Sequence, residues 1–571
     1  MVQAVLVINN KSVVNFTAGF CTALTTACHG VFLLSLLSAL CWLCPLQSAM
    51  AESSPQLNIL IITADDMNAD SVGAFGAEVS GVTPRIDALA REGFIFDMAH
   101  VQVANCMPSR NVMLTGRYPH SSRVEGFYPV TDPGYPTLMN VLQDAGYFTA
   151  IRNKVKHSTP FYPWPWDLVL DEEADGSVAD PKDPSSYGLA VHRAVSSSKR
   201  AGKPFFLMVN IDDPHLPFFG WDKSGNTVPD AFRPSRLFGP AEISVPGFLI
   251  DTDVVREEVA KYYTTVRRAD DALGHIVDAL RSADALESTV IVFLSDHGMP
   301  LPFAKTQLYH HSTRTPLIVI WPGVTTAGSV DSVHMVSAVD LMPTLLDGLG
   351  VAIPSGVQGR SFMPLLKGEE QKGRDSVFKA YNENAGGQRR PMRAVQTKEY
   401  LYIFNPWADP APPELLRPLF FYRPAMHSAA MGTKTWKEMQ ALARIDRSVA
   451  RRVDLFRHRV PEEFYHVTAD TDNLHNLIDS PEHAEQIERL RGKLEQWMRS
   501  TDDHALEAFL RRDDDDFVEE YLQQQQAQSD QRQQDARQRF EDAIAKGIRE
   551  GRINIFSGQK SEATGQDASV R

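Results

Sequence analysis

Leu57-Asn58-Ile59-Leu60-Ile61-Ile62-Thr63 runs straight into Ala64-Asp65-Asp66, so a nearly unbroken apolar stretch stops on two adjacent carboxylates. A run this short and this rich in isoleucine suits a strand buried on both faces, as strands of a parallel sheet are. The pattern recurs at Tyr147 to Ile151, Phe205 to Ile211, Val290 to Leu294 and Leu317 to Trp321, each followed by a segment of helical character. Short apolar runs alternating with helices predict an α/β fold, a mainly parallel sheet sandwiched by helices.

The helical segments carry their own punctuation. Thr83-Pro84-Arg85 supplies a cap residue and a proline in the first turn; Ile86, Leu89 and Ala90 then share a face, and Gly93 ends the helix. Gly134-Tyr135-Pro136 to Gly146 repeats that logic, Val254 to Leu280 predicts a longer helix, and Val339 to Leu349 another. After about residue 375 the texture changes. Pro391 to Gln396 leads into Tyr400 to Phe404, which alternates as an antiparallel strand does; Glu463 to Tyr465 reads as another, and a helix is expected over Glu482 to Met498. The expected organisation is a catalytic α/β domain over 52–375, a smaller α+β subdomain of antiparallel sheet plus helix over 376–505, and a tail over 506–571. From Asp513 the tail is Asp-rich, then Gln-rich, then of mixed charge. Such composition buries little and predicts an exposed helix or a disordered segment. Phe517, Tyr521, Phe540, Ile544 and Ile548 offer a sparse apolar stripe to a partner, but a solvated helical tail is the favoured reading, and deleting the chain from Asp513 is expected to leave turnover of a small substrate unchanged.

The first 51 residues hold one cation, Lys11, an apolar run from Val31 to Leu43, and Ala49-Met50-Ala51. This predicts an export signal cleaved before Glu52, with the protein periplasmic or secreted. The run is too short for stable membrane insertion, which needs about 20 residues. Cys21, Cys28, Cys41 and Cys44 lie in the leader, so Cys106 is the one cysteine expected in the mature chain and no intrachain disulfide is available. A net charge of −14 without a basic run argues against nucleic acid as a partner. No Asn-X-Ser/Thr sequon follows Ala51.

Polar clusters fall where the predicted strands end, the edge at which α/β sheets bind ligands. Asp65-Asp66 follows the first run, Lys154 and His157 the second, Asp213-Pro214-His215 the third, and Asp296-His297-Gly298 the fourth. Three carboxylates, Asp65, Asp66 and Asp296, repel one another unless a cation lies between them, and oxygen donors select a hard divalent ion. Cys106-Met107-Pro108-Ser109-Arg110, followed by Leu114-Thr115-Gly116-Arg117, places a lone thiol at the start of a helix with Pro108 in its first turn. A helix N-terminus attracts anions, and Arg110 adds a fork of donors.

That Cys-X-Pro-Ser-Arg sequence with its Leu-Thr-Gly-Arg tail resembles the motif in which type I sulfatases convert cysteine to formylglycine (3-oxoalanine), and through it the chain resembles the formylglycine-dependent sulfatase family of alkaline phosphatase-like fold. The resemblance implies Ca2+ held by Asp65, Asp66, Asp296, His297 and an oxygen of modified Cys106; many members have Asn at the position of His297. It implies that the hydrated aldehyde at 106 attacks sulfur through one hydroxyl. His215 serves the leaving group and Lys305 holds sulfate oxygens. The second hydroxyl then gives its proton to His157, with Lys154 and Arg110 in support, and the aldehyde is regenerated. It further implies a formylglycine-generating or anaerobic sulfatase-maturating enzyme as partner and a sulfated carbohydrate as substrate.

Within the family, three stretches are similar to the heparan N-sulfatase (sulfamidase) branch of glycosaminoglycan degradation: Pro204 to Leu207 leading to His215, Ser295 to Pro302, and Pro391-Met392-Arg393-Ala394-Val395-Gln396. The chain departs from that branch at Asn382-Glu383-Asn384-Ala385-Gly386-Gly387, where histidines are expected. Two other functions stay open: a phosphonate or phosphodiester hydrolase of the same superfamily, and a non-catalytic carbohydrate-binding paralogue.

Overall fold

The computed structural model describes residues 56–549 apart from 129, 131–132, 161–164, 173–175, 409–425 and 427, with backbone alone for 539–541 and 543–549. The expected leader and the side chains of Phe540, Ile544 and Ile548 lie outside the described residues. Strands β1 (Asn58–Asp65), β2 (Phe94–Phe96), β3 (Ala99–His100), β4 (Phe148–Arg152), β5 (Leu168–Val169), β6 (Phe205–Pro214), β7 (Thr289–Ser295), β8 (Leu317–Ile320), β9 (Ser329–Asp331) and β10 (Val336–Ser337) precede a second set, β11 (Ser376–Glu383), β12 (Arg389–Thr397), β13 (Tyr400–Phe404) and β14 (Glu462–His466).

The main sheet has the order β5-β4-β6-β1-β7-β8-β2-β9. Its centre is parallel, with Ile61 opposite Met208 on one side and Val292 on the other. β8 runs antiparallel to both β7 and β2, so the Leu317 run closes the parallel block and does not extend it. Alternation along β1 divides the core. Leu60 and Ile62 join one buried cluster with Val259 and Val266 of the long helix Asp253–Ser282, while Ile59 and Ile61 join another with Leu138 and Leu345. Helices therefore cover both faces, which is why these strands tolerate so few polar residues.

The second sheet, β11-β12-β13-β14, is antiparallel throughout. One face, with Ala380, Val395, Tyr402 and Phe464, packs on Leu490, Leu494 and Trp497 of the helix Ala484–Ser500; the other, with Tyr381, Met392 and Ile403, joins the first core. Arg393 of the Pro-Met-Arg stretch is fully buried in a two-pronged pair with Asp503 at 2.5 and 2.8 Å. Lys379, buried and held well below its ordinary pKa by desolvation, bonds Gln396 at 2.6 Å.

The tail is helical, one of the two outcomes expected, but it is less exposed than its composition predicts. Asp515–Arg549 is one helix, and Val518, Tyr521, Gln525 and Ser529 on it are buried. These positions recur every three or four residues, so they form a stripe along one face, half of it polar, that packs against the rest of the chain. Among the described residues no helix is long and apolar enough to cross a membrane.

Candidate active site

The parallel strands β1, β4, β6 and β7 deliver their C-terminal ends to one edge, and the polar clusters converge there. β1 ends on Asp65, and Asp66 follows in the left-handed region at φ 69°, its N–H donating to Asp296 Oδ1 at 3.1 Å. Cys106 opens the helix Cys106–Thr115, which Gly116 ends in a left-handed conformation. Ser109 Oγ donates to the Asp296 carbonyl at 2.7 Å and so ties the first turn of this helix to the loop after β7. The Cys106 Sγ then lies 3.5 Å from Asp65 Oδ1 and 3.3 Å from His297 Nε2.

Gly298 lets that loop pass. A Cβ there would stand 2.6 Å from the His311 carbonyl and 2.8 Å from Asn68 Oδ1, closer than a real Cβ approaches such atoms. His297 Nδ1–H donates to the Gly298 carbonyl at 2.9 Å, which leaves Nε2 as the lone-pair nitrogen, 3.1 Å from Asp66 Oδ1.

Asp65, Asp66, Cys106 and His297 are all buried, and one ligand atom from each lies within 4.8 Å of the others. The donor chemistry fits a divalent cation: carboxylate oxygens dominate, Asp296 adds a third acid beside them, and the imidazole offers its free lone pair. Three cations, Arg110, Lys154 and Lys305, face these three acids. A divalent ion would thus leave the site with a positive balance, suited to an anionic substrate.

The cations are held in place. Arg110, fully buried, donates to Asp296 Oδ2 at 2.9 Å and to Asn210 Oδ1 and Thr63 Oγ1, each at 2.5 Å. Lys305 reaches both oxygens of Asp66 at 2.7 and 2.8 Å, and Lys154 bridges Asp65 at 2.5 Å and Asp212 at 2.9 Å. Burial opposes the charge of both lysines, but their acid partners, Asp66 and Asp65 foremost, raise their pKa values. Burial would raise Asp65, yet Lys154, His215 and Arg110 hold its carboxyl well below the usual range. Burial, then Asp65, raises Asp296. The Cys106 thiol goes the other way from a reactive cysteine: burial and then Asp65 push it well above its ordinary value.

His157 is pushed down to about 3, by burial and then by Lys154, and its ring stands edge-on to Phe127 at 5.3 Å. His215 is lowered by burial and then by Lys305; its Nδ1–H donates to the Leu216 carbonyl at 2.6 Å. Lys156, between Lys154 and His157, is exposed. The structure therefore brings every residue selected from the sequence to one strand edge.

It also adds residues that the sequence reading missed. Lys182 Nζ bonds Asp212, Asp213 and the His215 carbonyl at 2.7 to 2.9 Å, and Arg268 grips Asp213 at 2.5 Å, which fixes the backbone that carries His215. Asn210 had a visible signal, a polar residue in an otherwise apolar buried strand, and Asp212 stands two residues further on, where the pairing with β1 becomes irregular. Lys182 had none, because it comes from a separate loop before the helix Pro184–Ala201.

Comparison with known proteins agrees with this geometry. A family model described as Sulfatase matches residues 57–351, and one described as N-sulphoglucosamine sulphohydrolase, C-terminal, matches 296–410. Human N-sulphoglucosamine sulphohydrolase is 29% identical over 477 residues, covering 78% of this chain and 90% of that protein. A solved structure in complex with its substrate D-glucosamine-2-N,6-O-disulfate superposes with a TM-score of 0.56 at 19% identity, over 78% of this chain and 98% of the other. The phosphonate monoester hydrolase of Agrobacterium radiobacter superposes at 0.54 and 19%, over 78% and 93%. At such identity these two likenesses concern the fold alone.

Proposed function

The chain belongs to the sulfatase family, and on that premise we propose that it hydrolyses the sulfate ester or sulfamate of a sulfated carbohydrate, with Cys106 converted to formylglycine and calcium bound beside it. The observation that carries this reading is the setting of Cys106. A thiol pushed away from ionisation at a helix N-terminus, among acids and cations, is a poor nucleophile as cysteine and well placed as an oxygen nucleophile.

Formylglycine at residue 106, when hydrated, would supply one hydroxyl as the nucleophile and a second whose proton a neighbouring base would take. Asp65, Asp66, Asp296, His297 and an oxygen of residue 106 would hold calcium, which when bound draws the anion and acidifies the hydroxyl beside it. The remaining work falls to the chain. Arg110 and Lys154 keep Asp65 and Asp296 oriented, and Lys305 is placed to take a sulfate oxygen. Burial and Lys305 favour the neutral form of His215, so it can protonate the leaving oxygen or nitrogen only once the negative charge of a bound substrate restores its proton. His157 stays neutral for the same physical reason and can accept the proton of the second hydroxyl.

The boundaries proposed are a catalytic domain over 52–375 and a subdomain over 376–505, in a protein exported behind its leader and matured by a formylglycine-generating or anaerobic maturating enzyme. The likeness to human N-sulphoglucosamine sulphohydrolase favours a sulfated glucosamine unit as the substrate. The test is free sulfate from an N-sulfated glucosamine oligosaccharide beside its 6-O-sulfated counterpart and a phosphodiester, using coexpressed maturation enzyme. Release from the N-sulfated sugar alone establishes a sulfamidase. Release from the 6-O-sulfated sugar alone moves the substrate to O-sulfated glycans, and turnover of the phosphodiester alone rejects the sulfatase reading.

A further inference from the structure

The first half of the C-terminal helix grips the turn between β11 and β12. Gln526 Oε1 accepts from the Arg389 backbone N–H at 3.0 Å and its Nε2 donates to the Gly387 carbonyl at 3.1 Å. Ser529 Oγ donates to the same carbonyl at 2.8 Å, and Gln525 Oε1 accepts from the Arg389 guanidinium at 2.5 Å. Arg532 closes the row with an ion pair to Glu383 Oε2 at 2.8 Å. Gly387 has no room for a side chain: its φ is +75°, and a Cβ would overlap Gln533 and Ser529.

Glu383 links this grip to the site. Its backbone carbonyl accepts from Asn105 Nδ2 at 3.1 Å, and Asn105 immediately precedes Cys106. Its side chain covers Gly126, where a Cβ would come within 2.4 Å of it. Arg532 also stacks over Tyr128 at 4.5 Å, and Phe127, the next residue back, is the ring that meets His157. Glu125, in the same segment, pairs with Arg389 at 2.8 Å and His504 at 2.7 Å, and His504 in turn meets Tyr521 of the helix at 3.1 Å. Segment 125–128 and the β11–β12 turn thus form a wall beside Cys106 and His157, and the helix braces that wall from behind.

We propose that Arg532 and its Glu383 partner are positioning residues for the sulfated carbohydrate: through them the C-terminal helix holds the 125–128 segment and the β11–β12 turn in the shape that receives the sugar next to the scissile group. The inference rests on the sulfatase reading above and adds to it an element that composition alone marks as a solvated tail. Arg532 touches neither Cys106 nor the acids around it, so a substrate that fills only the sulfate pocket does not sense its loss. A sugar that extends onto the wall does.

The experiment compares full-length matured protein with Arg532→Ala and Arg532→Lys on two substrates, a small aryl sulfate ester and a sulfated glucosamine oligosaccharide. The expected result for Arg532→Ala is a KM about tenfold higher on the oligosaccharide with kcat preserved, unchanged kinetics on the aryl ester, and substantial recovery in Arg532→Lys. Glu383→Gln serves as a second variant and should give the same split if Arg532→Ala does not fold. An active wild type whose variants match it on the oligosaccharide overturns the proposal, as does a parallel loss on both substrates with a lowered unfolding midpoint, which is a structural effect alone. A wild type inactive on both substrates is a different result and overturns the underlying functional reading as well.

Discussion

Replacing Arg393 by methionine keeps a long apolar stem and removes one charge from a fully buried pair. In the native chain Arg393 Nε and Nη2 grip the two oxygens of Asp503, and Nη1 donates to the Tyr381 and Met392 carbonyls and to Asn382 Oδ1 at 2.9 to 3.2 Å. After the substitution Asp503 keeps the Ala505 N–H at 3.0 Å and has His120 at 3.7 Å. Neither replaces a cation at bonding distance. Leaving one partner of a buried pair uncompensated costs about 3–5 kcal/mol, so a loss of about 4 kcal/mol is expected at pH 7. The sign of its pH dependence follows from Asp503. Burial raises its carboxyl and Arg393 more than offsets this, so its folded pKa is depressed, and its stabilisation is present above the unfolded value and lost as pH falls through the folded one. Without Arg393 the folded pKa rises instead, and protonation relieves the variant as pH falls toward about 4, so the gap to wild type narrows. Asp503→Asn retains the cap on Ala505 and should recover at least half of the loss in the double variant. Urea unfolding followed by tryptophan fluorescence at pH 7 and pH 5 reads all three quantities. A loss under about 1 kcal/mol at pH 7, or a gap that does not narrow with acid, refutes the reasoning.

Four shorter predictions follow from other sites. Cys106→Ala should abolish sulfate release while the unfolding midpoint stays within a degree or two, since the side chain is small and 2% exposed; retained turnover would contradict the nucleophile. His120, lowered to about 4 by burial, must be neutral to fold, so stability should decline as pH drops from about 6.5 toward 4, by up to about 3 kcal/mol. His120→Gln should flatten that limb, and an unchanged limb would reject the assignment. Calcium at 100 times its dissociation constant should stabilise the matured protein by about 2.7 kcal/mol in thermal unfolding, and Asp66→Asn should remove most of the effect. Deleting the chain from Asp515 should lower stability by about 3 kcal/mol or more, because the burial of Val518 and Tyr521 is lost and the surface they cover is exposed; a loss below 1 kcal/mol would return the helix to the status of a solvated tail.

The legible parts of the sequence were those where one residue type has one physical use. The apolar runs at Ile59, Phe205 and Val290 had to be strands buried on both faces, and the acids that end them had to meet at one edge. The Cys106 motif fixed a helix start that the structure reproduces at Cys106–Thr115. Three features were not legible. β11 escaped notice because Lys379, Asn382 and Glu383 look like a surface strand, although each is buried with partners supplied from elsewhere. The direction of β8 could not be read from an apolar run, since a buried strand carries the same pattern in either direction. The packing of the C-terminal helix, though not its helicity, was hidden because half of its buried stripe is polar: Gln525 and Ser529 satisfy backbone and guanidinium groups that a composition count cannot see. The Pro-Met-Arg stretch was legible as a resemblance but not in its contacts: Arg393 pairs with Asp503 and Gln396 with Lys379, which ties the motif to the architecture around the site.

The most direct test of the account is the mass of the peptide bearing residue 106, taken from a preparation that is turning over sulfated substrate. Conversion to formylglycine lowers that mass by about 18 Da relative to cysteine, and the account predicts that the converted fraction scales with specific activity across preparations. Full activity from protein in which residue 106 remains an unmodified cysteine would contradict it.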